Sequence, residues 1–375
     1  MQAPCLLLAA MCGLGLATAA HAQRPRLEPI VRIGVLEGAA EYTFGRVGGL
    51  LLYPDSRLLV LDEMAVRLRV YDLNGKHLYS FGRAGSGPGE FQDPTSPSVT
   101  RDWVTVFDSR MQRYSVFTLR GDHVLTTRSP DAAGRLASLA PLRGDRLIAV
   151  KAGGISSQHI ADVVGGRARQ AGTGISHLLV LGASTADTLR SYQEGGIYWY
   201  NADTGVPFGG LPGFGNAVTW AVNGDTAVVV VDAIRGRIDW YTAEVSTLRR
   251  TRSADLALSP LPITRAELSQ REQELRQAHP GIRRYGFVTP DFRAHFNSVV
   301  LDDKGRVWLK RQHREPGDST RPIAKYLVVS PNGTRSFEIS VPGRFSIGAV
   351  HGDLVVGTIT DDDDVQYVQV FRLRQ

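Results

Sequence analysis

Apolar and polar residues alternate in short runs along most of the chain, and the first two sets of runs nearly repeat each other. In the first set an apolar run, Leu58–Leu61, ends at Asp62, four turn-forming residues follow, and an alternating run opens at Arg67 and closes at Gly75. The second set lies 46 positions later and has the same residue types at Asp108, Arg113 and Gly121. Alternation with a period of two predicts β-strands, and their repetition at this spacing predicts a solenoid or a propeller.

Each set predicts a β-hairpin followed by a tight turn into another strand. The Asp side chain can accept backbone N–H groups of the turn, and the Arg across the hairpin can pair with the Asp. Because this pair recurs, we interpret it as structural rather than catalytic. Counting units to the end of the chain gives six, with seven as the alternative. The last unit has three strands, so the strand Ile30–Leu36 is expected to cover its exposed edge.

The connection between the first two units is rich in glycine, with the sequence Gly-Ser-Gly-Pro-Gly-Glu-Phe at Gly85–Phe91. A phosphate-binding loop would lead into a helix, and none is predicted here. Together with the repeated Asp, Arg and Gly, the segment resembles NHL-type repeats of six-bladed β-propellers. The resemblance is strong over residues 41–128 and continues in rhythm to the end. It implies an all-β propeller of four-stranded blades, similar to secreted bacterial propellers known mainly by that architecture.

Four segments interrupt the strand pattern, at residues 152–174, 195–215, 259–287 and 313–322. The third is expected to hold one surface helix, since Thr264 and Glu267 form a capping box and Pro280-Gly281 ends the periodic region. Two i,i+4 ion pairs are expected to support it, Glu267/Arg271 and Glu272/Arg276. Function is expected in these segments, because residues that recur in every unit serve the fold.

The first residues predict export. Leu6–Leu16 is apolar but too short to span a membrane, and Ala20-His21-Ala22 fits a cleavage site, so residues 1–22 are interpreted as a signal peptide and 23–375 as one domain. Both cysteines lie in this segment, so the mature protein is expected to lack disulfides and cysteine-bound metal. These features predict a periplasmic or extracellular protein without a membrane span, and we expect a monomer.

The basic excess does not predict a nucleic-acid partner. The chain has 43 Lys and Arg residues, a formal net charge of +6 and a pI near 9.4. These cations are scattered along the strands and form no basic motif with interleaved aromatic residues. We therefore interpret the excess as solvated surface.

Propellers place ligands at the mouth of the central channel, on loops that lead into the inner strands. Glu41, Asn216 and Asn297 stand near such strand starts. By resemblance to lactonase-like propellers, their oxygens are candidate ligands for Ca²⁺ or another divalent cation; the alternative is that each caps a turn. Asp361–Asp364 is better explained as a solvated turn, because it lacks the spacing of a calcium loop. The histidines show no local zinc-binding spacing.

Aromatic and basic residues occur together in two of the interrupting segments. Trp199 and Tyr200 lie in one, and Arg284 and Tyr285 lie in the other. These four are the candidate ligand-binding residues, with packing between segment and blade as the alternative.

The sequence thus predicts an exported, non-enzymatic binding or interaction scaffold that needs no cofactor. Its expected ligand is a protein, peptide or carbohydrate. The alternative is a metal-dependent hydrolase or lyase at the channel mouth.

Overall fold

The computed structural model describes residues 25–153, 175–193, 196–201, 207–212, 214, 216–281, 285–288, 291–312 and 323–374. Within these residues the chain forms six four-stranded antiparallel sheets arranged as the blades of a propeller. The first strands of neighbouring blades contact one another and surround the axis, so we call them inner strands. The prediction of an all-β, six-bladed propeller is confirmed, and the seven-bladed alternative is wrong.

In blades 1 to 5 the strands follow one another outward in chain order, and in blade 6 the outer strand comes from the N-terminal region. Blade 1 comprises Val47–Leu52, Leu58–Asp62, Arg67–Tyr71 and His77–Phe81. Blade 2 comprises Pro94–Val99, Trp103–Asp108, Arg113–Thr118 and His123–Arg128. Blade 3 comprises Ser138–Leu142, Arg146–Lys151, Ile175–Leu181 and Ala186–Gln193. Blade 4 comprises Val218–Asn223, Ala227–Asp232, Arg237–Ala243 and Leu248–Asp255. Blade 5 comprises Phe296–Leu301, Val307–Arg311, Ile323–Val329 and Arg335–Pro342. Blade 6 comprises Phe345–His351, Leu354–Thr360, Gln366–Arg374 and, from the N-terminal region, Arg26–Ile33.

The N-terminal strand closes the ring as the outer strand of blade 6. It pairs antiparallel with the last strand of the chain, from Arg26 opposite Arg374 to Ile33 opposite Val368. The closure is as predicted, but the predicted bounds Ile30–Leu36 are wrong. The strand starts earlier and ends before Gly34, whose φ of 121° breaks the extended conformation.

Six apolar clusters hold neighbouring blades together, one cluster at each of the six contacts between blades. The second strands contribute the most deeply buried residues, because both of their faces are covered. All five residues of Leu58–Asp62 are buried, for example. A strand covered on both faces reads as a continuous apolar run, which explains why these strands were visible in the sequence.

The segments between blades carry additional elements. Gly196–Asn201 lies in a three-stranded sheet between Pro207–Pro212 and Tyr285–Val288. Two strands thus lie within residues 195–215, where the strand pattern was predicted to be interrupted. Further short elements are the strand pair Leu261–Pro262 with Phe292–Arg293, the parallel pair Arg83–Ala84 with Glu90–Phe91, and the 3-10 turn Asp131–Ala133.

The helix α1 spans Arg265–Ala278 and has the predicted capping box, with both reciprocal bonds between Thr264 and Glu267. Glu272 and Arg276 pair as predicted. The predicted pair of Glu267 with Arg271 is wrong, because the Glu267 carboxylate instead binds Arg293, which is mostly buried beside the helix, while Arg271 pairs with Glu274 at 2.7 Å. Among the described residues, no helix is long and apolar enough to cross a membrane.

Candidate functional site

The repeated Asp holds the chain as it enters a blade. The buried Asp62 carboxylate accepts the backbone N–H groups of Gly45 and Arg46 at 3.2 Å each and that of Ala65 at 3.1 Å. It also pairs with Arg69 at 3.0 Å. The predicted pair with Arg67 is wrong: Arg67 is exposed, and the carboxylate points instead to the connection before the inner strand.

The second copy of the motif uses its Asp in the same way. Asp108 accepts the N–H groups of Gln92, Arg110 and Met111. Arg113 does not pair with Asp108 but donates to three carbonyl groups of the glycine-rich connection, those of Ser86, Gly87 and Glu90. The predicted turn role of the Asp is confirmed, and the recurring residues serve the fold.

His77 and His123 also occupy equivalent positions. Each Nε2 hydrogen-bonds a hydroxyl three residues later, at 2.8 Å in both blades. Each ring also lies edge-on to the aromatic residue on the neighbouring strand, at 5.6 Å. Their matching contacts support a structural role.

One end of the propeller carries all four segments that interrupt the repeat. Antiparallel neighbours alternate in direction, so the connections before inner strands and those between second and third strands meet at the same end. Residues 152–174, 194–217, 256–295 and 312–322 all attach there, and all belong to blades 3, 4 and 5. We call this end the insertion face. At the opposite end every connection is a turn of five residues or fewer.

Two of the four segments are joined by main-chain pairing on this face. In the three-stranded sheet, Trp199 stands opposite Phe287, Tyr200 opposite Gly286, and Asn201 opposite Tyr285. The backbone of the candidate residues Trp199, Tyr200 and Tyr285 is thus brought together, although they are far apart in sequence. Arg284 lies outside the described residues.

Of the three candidate metal ligands, Asn216 and Asn297 lie where inner strands begin, and Glu41 lies farther from one. Glu41 lies in the connection before blade 1, and its backbone carbonyl accepts the Tyr71 hydroxyl. Asn216 lies two residues before the inner strand of blade 4, and Asn297 is an exposed residue at a register shift in the inner strand of blade 5. The described residues contain no group of three or more His, Cys, Asp or Glu side chains that could hold a metal ion.

The acidic run 361–364 forms a turn. One oxygen of Asp361 accepts the N–H groups of Asp363 and Val365, and the other accepts the Tyr367 hydroxyl at 2.9 Å. The side chains of Asp362 and Asp364 are almost fully exposed and face Arg344 at 3.7 Å. These contacts support the interpretation of the run as a solvated turn.

Sequence reasoning missed two polar residues at the insertion face, His295 and Lys310. Burial lowers the pKa of His295, whose Nε2 also contacts the carbonyl of Ser259 at 3.0 Å. Burial also lowers the pKa of Lys310, whose Nζ donates to Ser346 Oγ at 3.2 Å. No local motif marks either residue, because each shift arises from desolvation by neighbouring strands.

Comparisons with known proteins agree with this architecture. A family described as a 6-bladed beta-propeller matches residues 33–159. A protein described as exported, from Bacteroides fragilis NCTC 9343, has a similar structure, with a TM-score of 0.51 and 13% identity over 94% of this chain and 96% of that one.

Two further solved structures are similar with lower scores. A member of the duf4221 family from Bacteroides vulgatus has a TM-score of 0.49 and 9% identity, covering 94% of this chain and 99% of that one. Regucalcin, a calcium-binding protein from Agrobacterium tumefaciens, has a TM-score of 0.42 and 11% identity, covering 92% of this chain and 95% of that one. No curated protein matches the chain in sequence. By its own topology and by the matching family description, this chain is a six-bladed β-propeller.

Proposed function

We propose that this protein is an exported, non-enzymatic propeller that binds a carbohydrate or a peptide on its insertion face. The observation that carries the proposal is the pairing of Gly196–Asn201 with Tyr285–Val288, which joins two separate insertions into one sheet. Turns at the opposite end are all short, so the chain departs from its repeat on one face alone. Propellers commonly bind on loops that a rigid scaffold positions, and this face has the larger loops.

The residue types in the joined strands favour this ligand class. One strand contains Tyr198, Trp199 and Tyr200, and the strand paired with it contains Tyr285 and Phe287. Tyr and Trp combine a large apolar surface with a polar atom, which suits sugar rings and peptide groups alike. They are also the residues that contribute most to protein interfaces when they become buried.

The proposal is tested by mutating the joined strands and measuring binding. Purified wild-type protein is applied to an array of oligosaccharides and to a displayed peptide library. The double variant Trp199→Ala/Tyr285→Ala is compared with Trp103→Ala, which removes an exposed aromatic residue from blade 2. We expect the double variant to lose about 2 kcal/mol or more of binding free energy and the control to retain it. Equal binding by both variants would contradict the proposal.

A metal-dependent hydrolase or lyase is the alternative. It is favoured by Asn216 and Asn297, which lie at the starts of two inner strands, and by Glu41, which lies in the connection before a third. One carboxylate with two amides is a weak ligand set for Ca²⁺, which usually takes six to eight oxygens. Elemental analysis of purified protein, repeated with Glu41→Gln, tests it. A stoichiometric divalent ion that is lost in the variant would support this alternative over the scaffold.

A further inference from the structure

A cavity of about 370 Å³ lies in the central channel and opens at the end opposite the insertion face. All six inner strands line it, and it includes the exposed turn residues Pro54 and Arg101, which follow the inner strands of blades 1 and 2. Among the described residues, none from the connections on the insertion face contributes to its lining. The cavity is therefore reached over short turns that the structure describes, and its volume is typical of small-molecule sites.

One buried hydroxyl group in the wall of this cavity has no partner within the described part of the protein. Ser98 lines the cavity near the end of the inner strand of blade 2 and is only 5% exposed. Its Oγ forms no hydrogen bond with any described residue. Buried hydroxyl groups are nearly always hydrogen-bonded, because an unpaired one loses its hydration without compensation. A polar group of a ligand in the cavity would be a partner for Ser98.

The backbone beside Ser98 departs from a regular strand. The pairing register with the second strand shifts between Thr95 and Ser98, so the inner strand carries one extra residue there. Within this bulge Ser96 has a φ of 48°, which is unfavourable for residues other than glycine. Pro97 packs against the inner strand of blade 1, where a Cβ on Gly49 would lie 2.4 Å from the proline ring. Bulges often re-aim side chains beside binding sites, and this one forms the wall that carries Ser98.

The charges around the cavity favour an anionic ligand. Arg101 and His351 are the ionisable residues of its lining, which contains no Asp or Glu among the described residues. The Nδ1 of His351 lies 3.9 Å from the Asp303 carboxylate, so the imidazole has an acidic neighbour. Arg101 forms no ion pair within the described ranges and is exposed at the mouth. Its planar guanidinium can bind a carboxylate through two parallel hydrogen bonds.

Apolar side chains line the cavity between these two polar groups. Val99 separates Ser98 from the turn of Arg101, and Trp220 and Val222 belong to the wall formed by blade 4. Ser98 and Arg101 are three residues apart, so their Cα atoms are separated by at most roughly 11 Å. A matching ligand has an anionic group at one end, a short apolar body and a hydroxyl group at the other end. A rigid, flat body suits such a site best, because it loses little conformational freedom on binding.

We propose that this cavity binds a small aromatic carboxylate that carries a hydroxyl group at its far end. The carboxylate pairs with Arg101 at the mouth, the ring system lies along the inner strands, and the hydroxyl group hydrogen-bonds Ser98 Oγ. Each inner strand pairs on one side only, so its free edge offers further main-chain groups to the ligand. This site is separate from the joined strands of the insertion face, and the inference does not depend on the function proposed above.

A matched pair of ligands tests the contact with Ser98. Full-length protein is titrated calorimetrically with 6-hydroxy-2-naphthoate and with 2-naphthoate, which lacks the hydroxyl group. We expect the hydroxylated compound to bind about fivefold more tightly, as for one added hydrogen bond. In Ser98→Ala the two compounds should bind equally. The stability of this variant to urea should not fall, because the Ser98 hydroxyl has no protein partner to lose.

A matched pair of arginine variants tests the contact at the mouth. Arg101→Gln should weaken the binding of both compounds by about three- to tenfold, because each loses the same ion pair. Arg120→Gln removes an exposed arginine from the same end of blade 2, outside the cavity, and should leave both affinities unchanged. Both arginines are exposed, so neither substitution should unfold the propeller.

Four results would each show that the proposal is wrong. They are no binding of 6-hydroxy-2-naphthoate at millimolar concentration, equal affinity of the two compounds for the wild type, a difference between them that persists in Ser98→Ala, and an equal loss of affinity in Arg101→Gln and Arg120→Gln. The first three would mean that Ser98 is a buried hydroxyl group that contacts water alone. The last would mean that the naphthoates bind through the general positive charge of the protein.

Discussion

Blades 1 and 2 and blades 3 to 5 follow the same plan but use it differently. In blades 1 and 2 the connections on the insertion face are tied down by the repeated residues. Asp62 and Asp108 are buried and each accepts three backbone N–H groups. In blade 4 the equivalent Asp232 is half-buried and accepts two, from Ile234 and Arg235. The difference teaches that the repeated Asp holds the connection before a blade in blades 1 and 2. In blade 4, where a long segment replaces that connection, the Asp binds only its own turn.

The largest expected effect on stability comes from removing the buried carboxylate of Asp62 in blade 1. Asp62→Ala leaves Arg69 mostly buried without its partner and three N–H groups without their acceptor. Loss of one partner of a buried ion pair costs about 3–5 kcal/mol, so we expect a loss of that size in the free energy of unfolding. Urea denaturation at pH 7 measures it.

Asp232→Ala is the matched control in blade 4. It removes two turn hydrogen bonds from a half-buried carboxylate, and we expect a loss of about 1–2 kcal/mol. Equal losses in the two variants would show that the Asp has the same weight in every blade, and the contrast between the two halves would then be wrong.

The second effect concerns the glycine that closes the repeat. Gly121 has a φ of 89°, and a Cβ there would lie 2.8 Å from the Phe81 ring. Gly121→Ala should therefore cost about 2–4 kcal/mol, from left-handed backbone strain and from crowding together. Gly224 of blade 4 has a φ of 61° and no atom within 4 Å of its Cβ position, so Gly224→Ala should cost about 1–2 kcal/mol from strain alone. Thermal unfolding of both variants checks the difference.

The contrast between the halves also explains what the sequence predicted well. Strands such as Leu58–Asp62 and Ala227–Asp232 are buried over most of their length, so they could be recognised in the sequence as apolar runs. Side-chain partners were less predictable. Arg67 was chosen for Asp62 because the two stand opposite each other in the hairpin, yet Arg67 is exposed at the end of its strand and Arg69, two residues further on the same face, is buried and reaches the carboxylate. Local spacing predicts the neighbour in the sheet and does not predict which of two side chains on one face is buried.

The sequence predicted where the candidate site lies along the chain, but it did not predict how the segments of the site pair with each other. The breaks in the repeat located the four segments, and the alternation of strand direction puts them on one face. Neither feature predicted that Tyr285–Val288 would pair with Gly196–Asn201, because the pairing is long-range and each strand is short. Lys310 was missed for a similar reason, since its hydrogen-bond partner Ser346 lies in a different blade.

The third effect tests how strongly the inserted helix is coupled to the propeller. Thr264→Ala removes the N-cap hydroxyl that accepts the Glu267 N–H. The expected cost is about 1 kcal/mol, and it should appear in α1 rather than in the blades. Hydrogen exchange should show faster exchange in Arg265–Ala278 while the amides of Leu58–Asp62 stay unchanged. Faster exchange in both would indicate that the helix unfolds together with the ring.

The smallest effect is a pH dependence of stability that arises from the glycine-rich connection between blades 1 and 2. Two main contacts lower the pKa of Glu90. The larger is the hydrogen bond that the Gly87 N–H donates to its carboxylate at 2.8 Å, and the second is the ion pair with Arg83. A carboxylate whose pKa is lower in the folded state stabilises the fold above its unfolded pKa of about 4.3, and this contribution disappears as pH falls through the folded value. Glu90→Gln should therefore be less stable than wild type at pH 7, and the difference should shrink below about pH 4. Glu37→Gln, at an exposed residue before blade 1, is the control. Urea midpoints at several pH values measure both variants, and a difference that persists at low pH would mean that Glu90 holds the connection by packing rather than by charge.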